Sequence, residues 1–338
     1  MQKVFSRAES IYYNKLYSPR RFARFVINSW HTAKSMHFGW YESFKVFCDL
    51  IWCNFRYGAM DVRDYVWFDF YGKSASRRNE YLTSRRYFKT VKHFDKSTFF
   101  RLIDKDNVYD DYSEFIKRDW IKVTSTTASE DVLAFVRKHG VVLVKPVSSE
   151  QGRGIFKISF TTPKEIETLI ESAGENGYII EELLSNCREL QTISTSLNTI
   201  RVYTLTDKMG GVKITNMFLR VGRKGELVDN WGNGGVGYNI DLETGVIDRP
   251  GIDNKGNKFV YHPNTNIKMV GLDIPRFREL YDFAYKIASH NKKVIYAGID
   301  IAILDDRMEL VEINFPGGRK GLQVMDDTGR YSLVRKIW

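Results

Sequence analysis

Asp300, Glu312 and Asn314 lie close together in the stretch Gly298–Gly318, GIDIAILDDRMELVEINFPGG. Two carboxylates and an amide oxygen suit a hard cation such as Mg²⁺, which takes one or two carboxylates and completes its shell with water and phosphate oxygens. Whether the three can meet depends on strand pairing. Ile299, Ile301 and Ile303 alternate with Asp300, Ala302 and Leu304, the period of a strand with two distinct faces. Asp305, Asp306 and Arg307 supply turn chemistry, and Met308 to Asn314 resume as a second strand. A three-residue loop over 305–307 would set Leu304 opposite Met308 and Asp300 opposite Glu312, with Asn314 on the face of Glu312. Adjacent carboxylates repel each other unless a cation sits between them. The competing reading is an exposed hairpin with polar decoration.

Other candidates lie upstream. Lys145 ends an apolar run and precedes a loop carrying Gly152 and Gly154. Glycines let backbone N–H groups approach an anion and the lysine adds a point charge, a pairing that suits polyphosphate. A strand follows the loop, so neither of the helix-linked phosphate motifs applies, and a plain hairpin turn is the alternative. Glu181-Glu182-Leu183-Leu184 leaves a strand for a loop, where backbone groups are available to an adenine edge. Arg201 falls in mid-strand, where an inward cation needs an anion.

Several elements must position these groups. Thr127 and Glu130 read as a capping box for a helix ending at Gly140, followed by a short buried strand from Val141 to Lys145. Thr162, Pro163 and Glu165 open a second helix, and Tyr178 to Glu182 form another strand. Asn198–Thr206 and Lys213–Val221 read as strands joined through Asp207–Gly211. Residues 250–270 read as an exposed excursion, and Asp273 as the cap of a helix carrying Phe277, Leu280, Tyr281, Ala284 and Ile287. Near the N-terminus, Ser18 to Tyr57 is helical and aromatic-rich. Its apolar stripe of Phe44, Phe47, Cys48, Ile51, Trp52 and Phe55 is read as packed on the next lobe, with a membrane-surface role as the minority view.

Composition bounds the rest. The 338 residues are 43% apolar and 27% charged, ordinary for a soluble globular protein. No apolar run approaches the ~20 residues of a membrane span, and Cys48, Cys53 and Cys187 lack metal-ligand spacing, so a reducing cytoplasm is expected. Residues 1–122 hold 23 Lys/Arg against 14 Asp/Glu, nine of the net +10 charge, which suggests an anionic partner. Aromatics and arginines alternate over residues 61–122. No nucleic-acid signature accompanies them, so they are read as core, and nucleic acid is not an expected partner.

From about Tyr65 to the C-terminus the chain resembles the ATP-grasp enzymes, more narrowly the sugar-transfer-associated branch. The anchors are DKSTF (95–99), VVLVKPVSSEQGRGI (141–155), IEELL (180–184), SLNTIRVYT (196–204), VDNWGNGGVG (228–237), GIDIAI (298–303) and VEINFPGG (311–318). The resemblance implies an α+β fold in which two lobes clasp ATP, here with a helical, aromatic-rich N-terminal extension. It divides the chain into that extension (1–60), a preceding lobe (61–126), a small lobe (127–184) and a large lobe with the metal site (185–338). It implies that Lys96 and Lys145 contact phosphates under a loop of Ser149, Gly152, Arg153 and Gly154. Glu181 and Leu184 would meet adenine through their backbones, with Glu182 or Glu189 near the ribose. Asp300, Glu312 and Asn314 would hold two Mg²⁺ ions, and Arg201 would stabilise the transferred phosphoryl group. Where the family often has Gln-His after the adenine hinge, this chain has Asn186-Cys187.

The expected activity is ATP-dependent carboxylate–amine ligation through an acyl phosphate. Its substrates would be a carboxylate and an amine, small molecules or glycan precursors, in surface polysaccharide synthesis. The alternatives are a kinase acting on a sugar hydroxyl, with Asp229 as a candidate base, and a non-catalytic nucleotide- or glycan-binding module. Peripheral membrane contact is the less favoured partner.

Overall fold

The structure is a computed structural model describing residues 19–36, 39–148, 154–159, 162–174, 176–223 and 234–337. The chain forms two compact units, Met1–His93 with Arg319–Arg335, and Phe94–Gly318 with Lys336–Trp338.

The first unit is helical. Helices α1 (Pro19–Ser35) and α2 (Trp40–Tyr57) pack together, and the left-handed Gly58 (φ 74°) ends α2. Short helices α3 (Val62–Trp67), α4 (Ala75–Asn79) and α5 (Ser84–Val91) follow; Asp61 and Ser74 cap α3 and α4 through their side chains. Their shared core holds Val46, Leu50, Tyr57, Tyr65, Phe68, Phe70 and Tyr81, so of the aromatics read as core Tyr65, Phe68 and Phe70 are core, Trp67 packs partly buried against it, and Tyr71 is exposed. The apolar stripe on α2 is not. That helix buries Ser43, Val46, Leu50, Cys53, Asn54 and Tyr57, and leaves Phe44, Cys48, Trp52 and Phe55 exposed. The buried side wins because polar atoms there find partners: the Asp49 carboxylate beside it accepts from Arg78 (2.6 Å) and Tyr65 (2.7 Å).

The second unit carries two antiparallel sheets. After α6 (Lys96–Arg101) and α7 (Lys105–Asp111), β1 (Trp120–Val123) leads to α8 (Ser129–His139), β2 (Val142–Pro146), β3 (Phe156–Ile158), α9 (Pro163–Ala173) and β4 (Tyr178–Glu182). These strands lie in the order β1-β4-β2-β3. Helices α8 and α9 contribute Val132, Val136, Ile166 and Ile170 to a core against Val142, Val144 and Ile180. Thr162 and Glu165 form the expected capping box. Thr127 does not cap α8. Its hydroxyl accepts from the Thr124 N–H (2.9 Å) in the preceding turn, and Ala128 stands at the cap.

The larger sheet contains β5 (Thr199–Thr206), β6 (Val212–Val221), β7 (Val236–Ile240), β8 (Gly251–Ile252), β9 (Lys258–Phe259), β10 (Tyr296–Ile303) and β11 (Met308–Asn314), ordered β11-β10-β5-β6-β7-β8-β9. A further helix, Phe277–His290, buries Phe277, Leu280, Ala284 and Ile287, but its cap position is Arg276 with no side-chain bond, so Asp273 is not its cap. Residues 250–270 are not a wholly exposed excursion. Asp253, His262 and Met269 are buried, because Asp253 gathers Lys255 N–H, Asn257 N–H and Arg223, and His262 bonds the Gly222 carbonyl.

Candidate functional site

Asp300 does lie opposite Glu312, by a different route from a three-residue loop. Ile303 pairs with Met308, the turn spans 304–307, and a bulge between Asp300 and Ile301 restores the register. Asn314 pairs with Gly298, and its side-chain amide donates to the Gly298 carbonyl (3.4 Å). The repulsion expected between the two carboxylates is relieved by protein cations. Asp300 is buried, and its oxygens accept from Arg201 on β5, including a 2.8 Å contact, and from Arg220 on β6 (2.7 Å). Burial works to raise the Asp300 carboxyl, yet the two guanidiniums outweigh it and hold it below the ordinary carboxylate range. Arg201 is thus the mid-strand cation that needed an anion, and the anion is the metal candidate itself.

The smaller sheet presents the second half. Lys145 near the end of β2 and Glu181 on β4 form a buried ion pair. Burial alone would depress the lysine and raise the glutamate. Instead Lys145 stands above its ordinary value, driven by Glu181, and Glu181 is held to about 2 by Arg118 and Lys145. Glu182 accepts from the Asp119 N–H (3.2 Å), Leu184 is half-buried beyond the strand, and Glu189 is exposed on the helix Arg188–Gln191. Asn186 clips the hinge to the large sheet by accepting from Asn198 N–H (2.7 Å) and donating to the Asn198 carbonyl (2.8 Å). Lys96 is exposed at the first turn of α6, behind the capping Asp95. Gly154 is left-handed (φ 73°), and a Cβ there would stand 3.1 Å from Pro146 Cγ, so the chain returns tightly onto the end of β2. Ser149, Gly152, Arg153 and Asp229 lie outside the described residues.

The sequence reading missed three groups around the site. Arg118 is buried; it donates to Glu181 (2.8 Å), the Tyr109 hydroxyl (2.6 Å), Glu309 (3.0 Å) and the Leu310 carbonyl (2.6 Å). It therefore joins β4 to β11, the strand bearing Glu312. Lys105 donates to the carbonyls of Pro146 (3.1 Å) and Val147 (3.3 Å) at the mouth of the glycine loop. Burial lowers its pKa, as does Lys145, while Glu312 and Glu181 oppose this. Arg220 is the third. It sits in an apolar run like that of Arg201, and the same rule about mid-strand cations would have found it.

The donor set Asp300, Glu312 and Asn314 fits Mg²⁺ in atom type and in register, but both Asp300 oxygens are bonded to arginines, so an ion would have to share or displace those contacts. Among the described residues no three His, Cys, Asp or Glu side chains cluster as a self-sufficient metal cage. An ion here would thus draw on water and on phosphate oxygens.

A family model described as sugar-transfer associated ATP-grasp matches residues 81–337. Among solved structures, the chain is similar to the ATP-grasp ligase PsnB complexed with a minimal precursor, at 15% identity over 72% of this chain and 62% of that one, TM-score 0.44. It is also similar to purK, an N5-carboxyaminoimidazole ribonucleotide synthetase in its ADP complex, at 9% identity over 70% and 52%, TM-score 0.46. A third is D-alanyl-alanine synthetase A from Vibrio cholerae O1 biovar eltor str. N16961, at 13% identity over 71% and 60%, TM-score 0.41. The chain spans 52% to 62% of the length of these proteins. No curated protein matches it.

Proposed function

Since the chain belongs to the sugar-transfer associated ATP-grasp family, we propose that it is an ATP-dependent carboxylate–amine ligase acting on a sugar acid, an amino acid or a glycan precursor. The observation that carries the reading is the buried chain Lys145–Glu181–Arg118, which runs from β2 through β4 to the Leu310 carbonyl on β11, two residues from Glu312. A polyanion entering beside Lys145 would meet the fixed cations Lys145 and Lys105.

A carboxylate is a poor electrophile, and phosphorylation gives it a leaving group. The substrate oxygen attacks the terminal phosphorus of ATP, the bond to the bridging oxygen breaks, and ADP leaves. The amine nitrogen then attacks the acyl carbon, loses its proton, and inorganic phosphate departs. Lys145 and Lys105 bind and orient phosphate, and Arg201, partly exposed beside Asp300, offsets charge growing on the transferred group. Mg²⁺, where bound, would be held by Asp300, Glu312 and Asn314 and would neutralise phosphate charge.

Trapping tests the reading. ATP with a panel of sugar acids and amino acids, hydroxylamine replacing the amine, should yield a hydroxamate with stoichiometric ADP. A product that retains phosphate on a single substrate, with no hydroxamate for any carboxylate, overturns it in favour of phosphoryl transfer to a hydroxyl.

A further inference from the structure

Helix α2 turns its most aromatic face outward. Trp40, Tyr41, Phe44, Trp52 and Phe55 occupy one side of it and are 46% to 72% exposed, while the opposite side makes the core. Ring contacts occur at both ends of this face, and one carries it onto α1. Trp40 stacks on Phe44 (5.9 Å), and Phe22 of α1 meets Phe55 (5.8 Å). Single exposed apolar residues are normal on a protein surface, whereas five exposed aromatics on one side of a helix mark a surface that something covers.

The charge around the strip selects the occupant. Across α1 and α2 stand Arg20, Arg21, Arg24, Lys34, Lys45 and Arg56, against Glu42 and Asp49. Both acids are compensated, Glu42 by Lys45 (2.8 Å) and Asp49 by Arg78 (2.6 Å). Basic and aromatic groups also share ground: the Lys45 ammonium lies 4.3 Å from the Tyr41 ring centroid, and that of Lys34 lies 5.1 Å from the Trp30 ring. Tryptophan and tyrosine present an apolar body with a polar edge, and this pairing with Lys and Arg is the composition of helices that lie in the interface of an anionic bilayer. No described helix is long and apolar enough to cross a membrane. We propose that the α1–α2 hairpin docks on an anionic phospholipid surface, with Trp40, Phe44, Trp52 and Phe55 in the headgroup–acyl boundary and the cations facing the headgroups. The proposal rests on the first unit alone and stands apart from the ligase reading.

The test uses the full chain sedimented with vesicles of phosphatidylcholine containing phosphatidylglycerol, and with vesicles of phosphatidylcholine alone. The chain should pellet with the anionic vesicles, with tryptophan emission moving to shorter wavelength, and release as salt rises. Phe44→Ser/Trp52→Ser/Phe55→Ser should lower the partition coefficient at least about tenfold. Because those side chains are exposed, the melting temperature and ATP turnover should stay near wild type. Arg20→Glu/Arg24→Glu should weaken anionic binding by a similar factor. Failure of wild type to bind either vesicle overturns the proposal, as does equal binding to both. Self-association that the triple substitution abolishes, without vesicle binding, also overturns it and assigns the strip to a second copy of the chain.

Discussion

Both oxygens of Asp300 are bonded to guanidiniums, which changes what its removal does. A bare pair of carboxylates would be relaxed by losing one member. Here Asp300→Ala removes the carboxylate that both guanidiniums bind, and breaking a buried pair from one side costs about 3–5 kcal/mol. Glu312 is half-buried on the facing strand, and Glu312→Ala should change stability by no more than about 1 kcal/mol. Both substitutions should abolish Mg²⁺-dependent ATP turnover. Denaturant melts of the two variants check the stability half; equal stabilities would mean that the arginine contacts contribute nothing. At this scale the sequence was legible wherever chemistry is local. A cation stranded in an apolar run announces itself, as Arg201 did and Arg220 does. Arg118 gives no such signal, because Glu181 and Glu309 lie far along the chain and its burial is a product of the fold.

Among the elements, the strands closest to the chemistry followed most directly from pattern. Alternation and turn residues sufficed to place β4, β10 and β11, and the facing of Asp300 and Glu312 survived an error in loop length because a bulge compensated for it. Helix faces were harder to read. The apolar stripe of α2 is real, but a stripe reports amphipathicity and not which side faces the protein; buried polar contacts around Asp49 decided that. Strand β4 supports a prediction of its own. Glu181 is held at about 2 in the folded protein, below its ordinary 4.5, so the folded state keeps the proton off more strongly than the unfolded chain. Its contribution is fully present above pH 4.5 and is lost as pH falls toward 2, up to roughly 3 kcal/mol. Glu181→Gln should be less stable at neutral pH, where Lys145 and Arg118 lose their counter-charge, and should show a flatter fall in stability through that acid window. Urea midpoints between pH 2 and 5 measure it; identical slopes for variant and wild type would remove Glu181 from the account.

The whole molecule has two cores that draw on different parts of the chain. One is helical and aromatic and takes in Arg319–Arg335; the other is built on the two sheets and holds every described residue that converges on the candidate site. The pattern of alternating strands showed that sheets exist, but not that β10 would sit between β5 and β11, since that pairing joins segments far apart in sequence. A ligand stabilises the native state it binds by mass action, about 2.7 kcal/mol at a hundredfold excess over Kd. That stabilisation should fall on the unit whose groups touch the ligand. Hydrogen exchange of the full chain with ATP and Mg²⁺ is therefore predicted to slow in β2, β4, β10 and β11. Exchange in α1 and α2 should stay at its ligand-free rate, and ATP without Mg²⁺ should give a smaller effect. Lys145→Ala should remove most of the protection in β2 and β4, and Lys145→Arg less of it, because a guanidinium still supplies charge with a different reach. Protection appearing first in α1 and α2 would place the nucleotide on the helical unit and dissolve the assignment of Lys145 and Glu312 to one site.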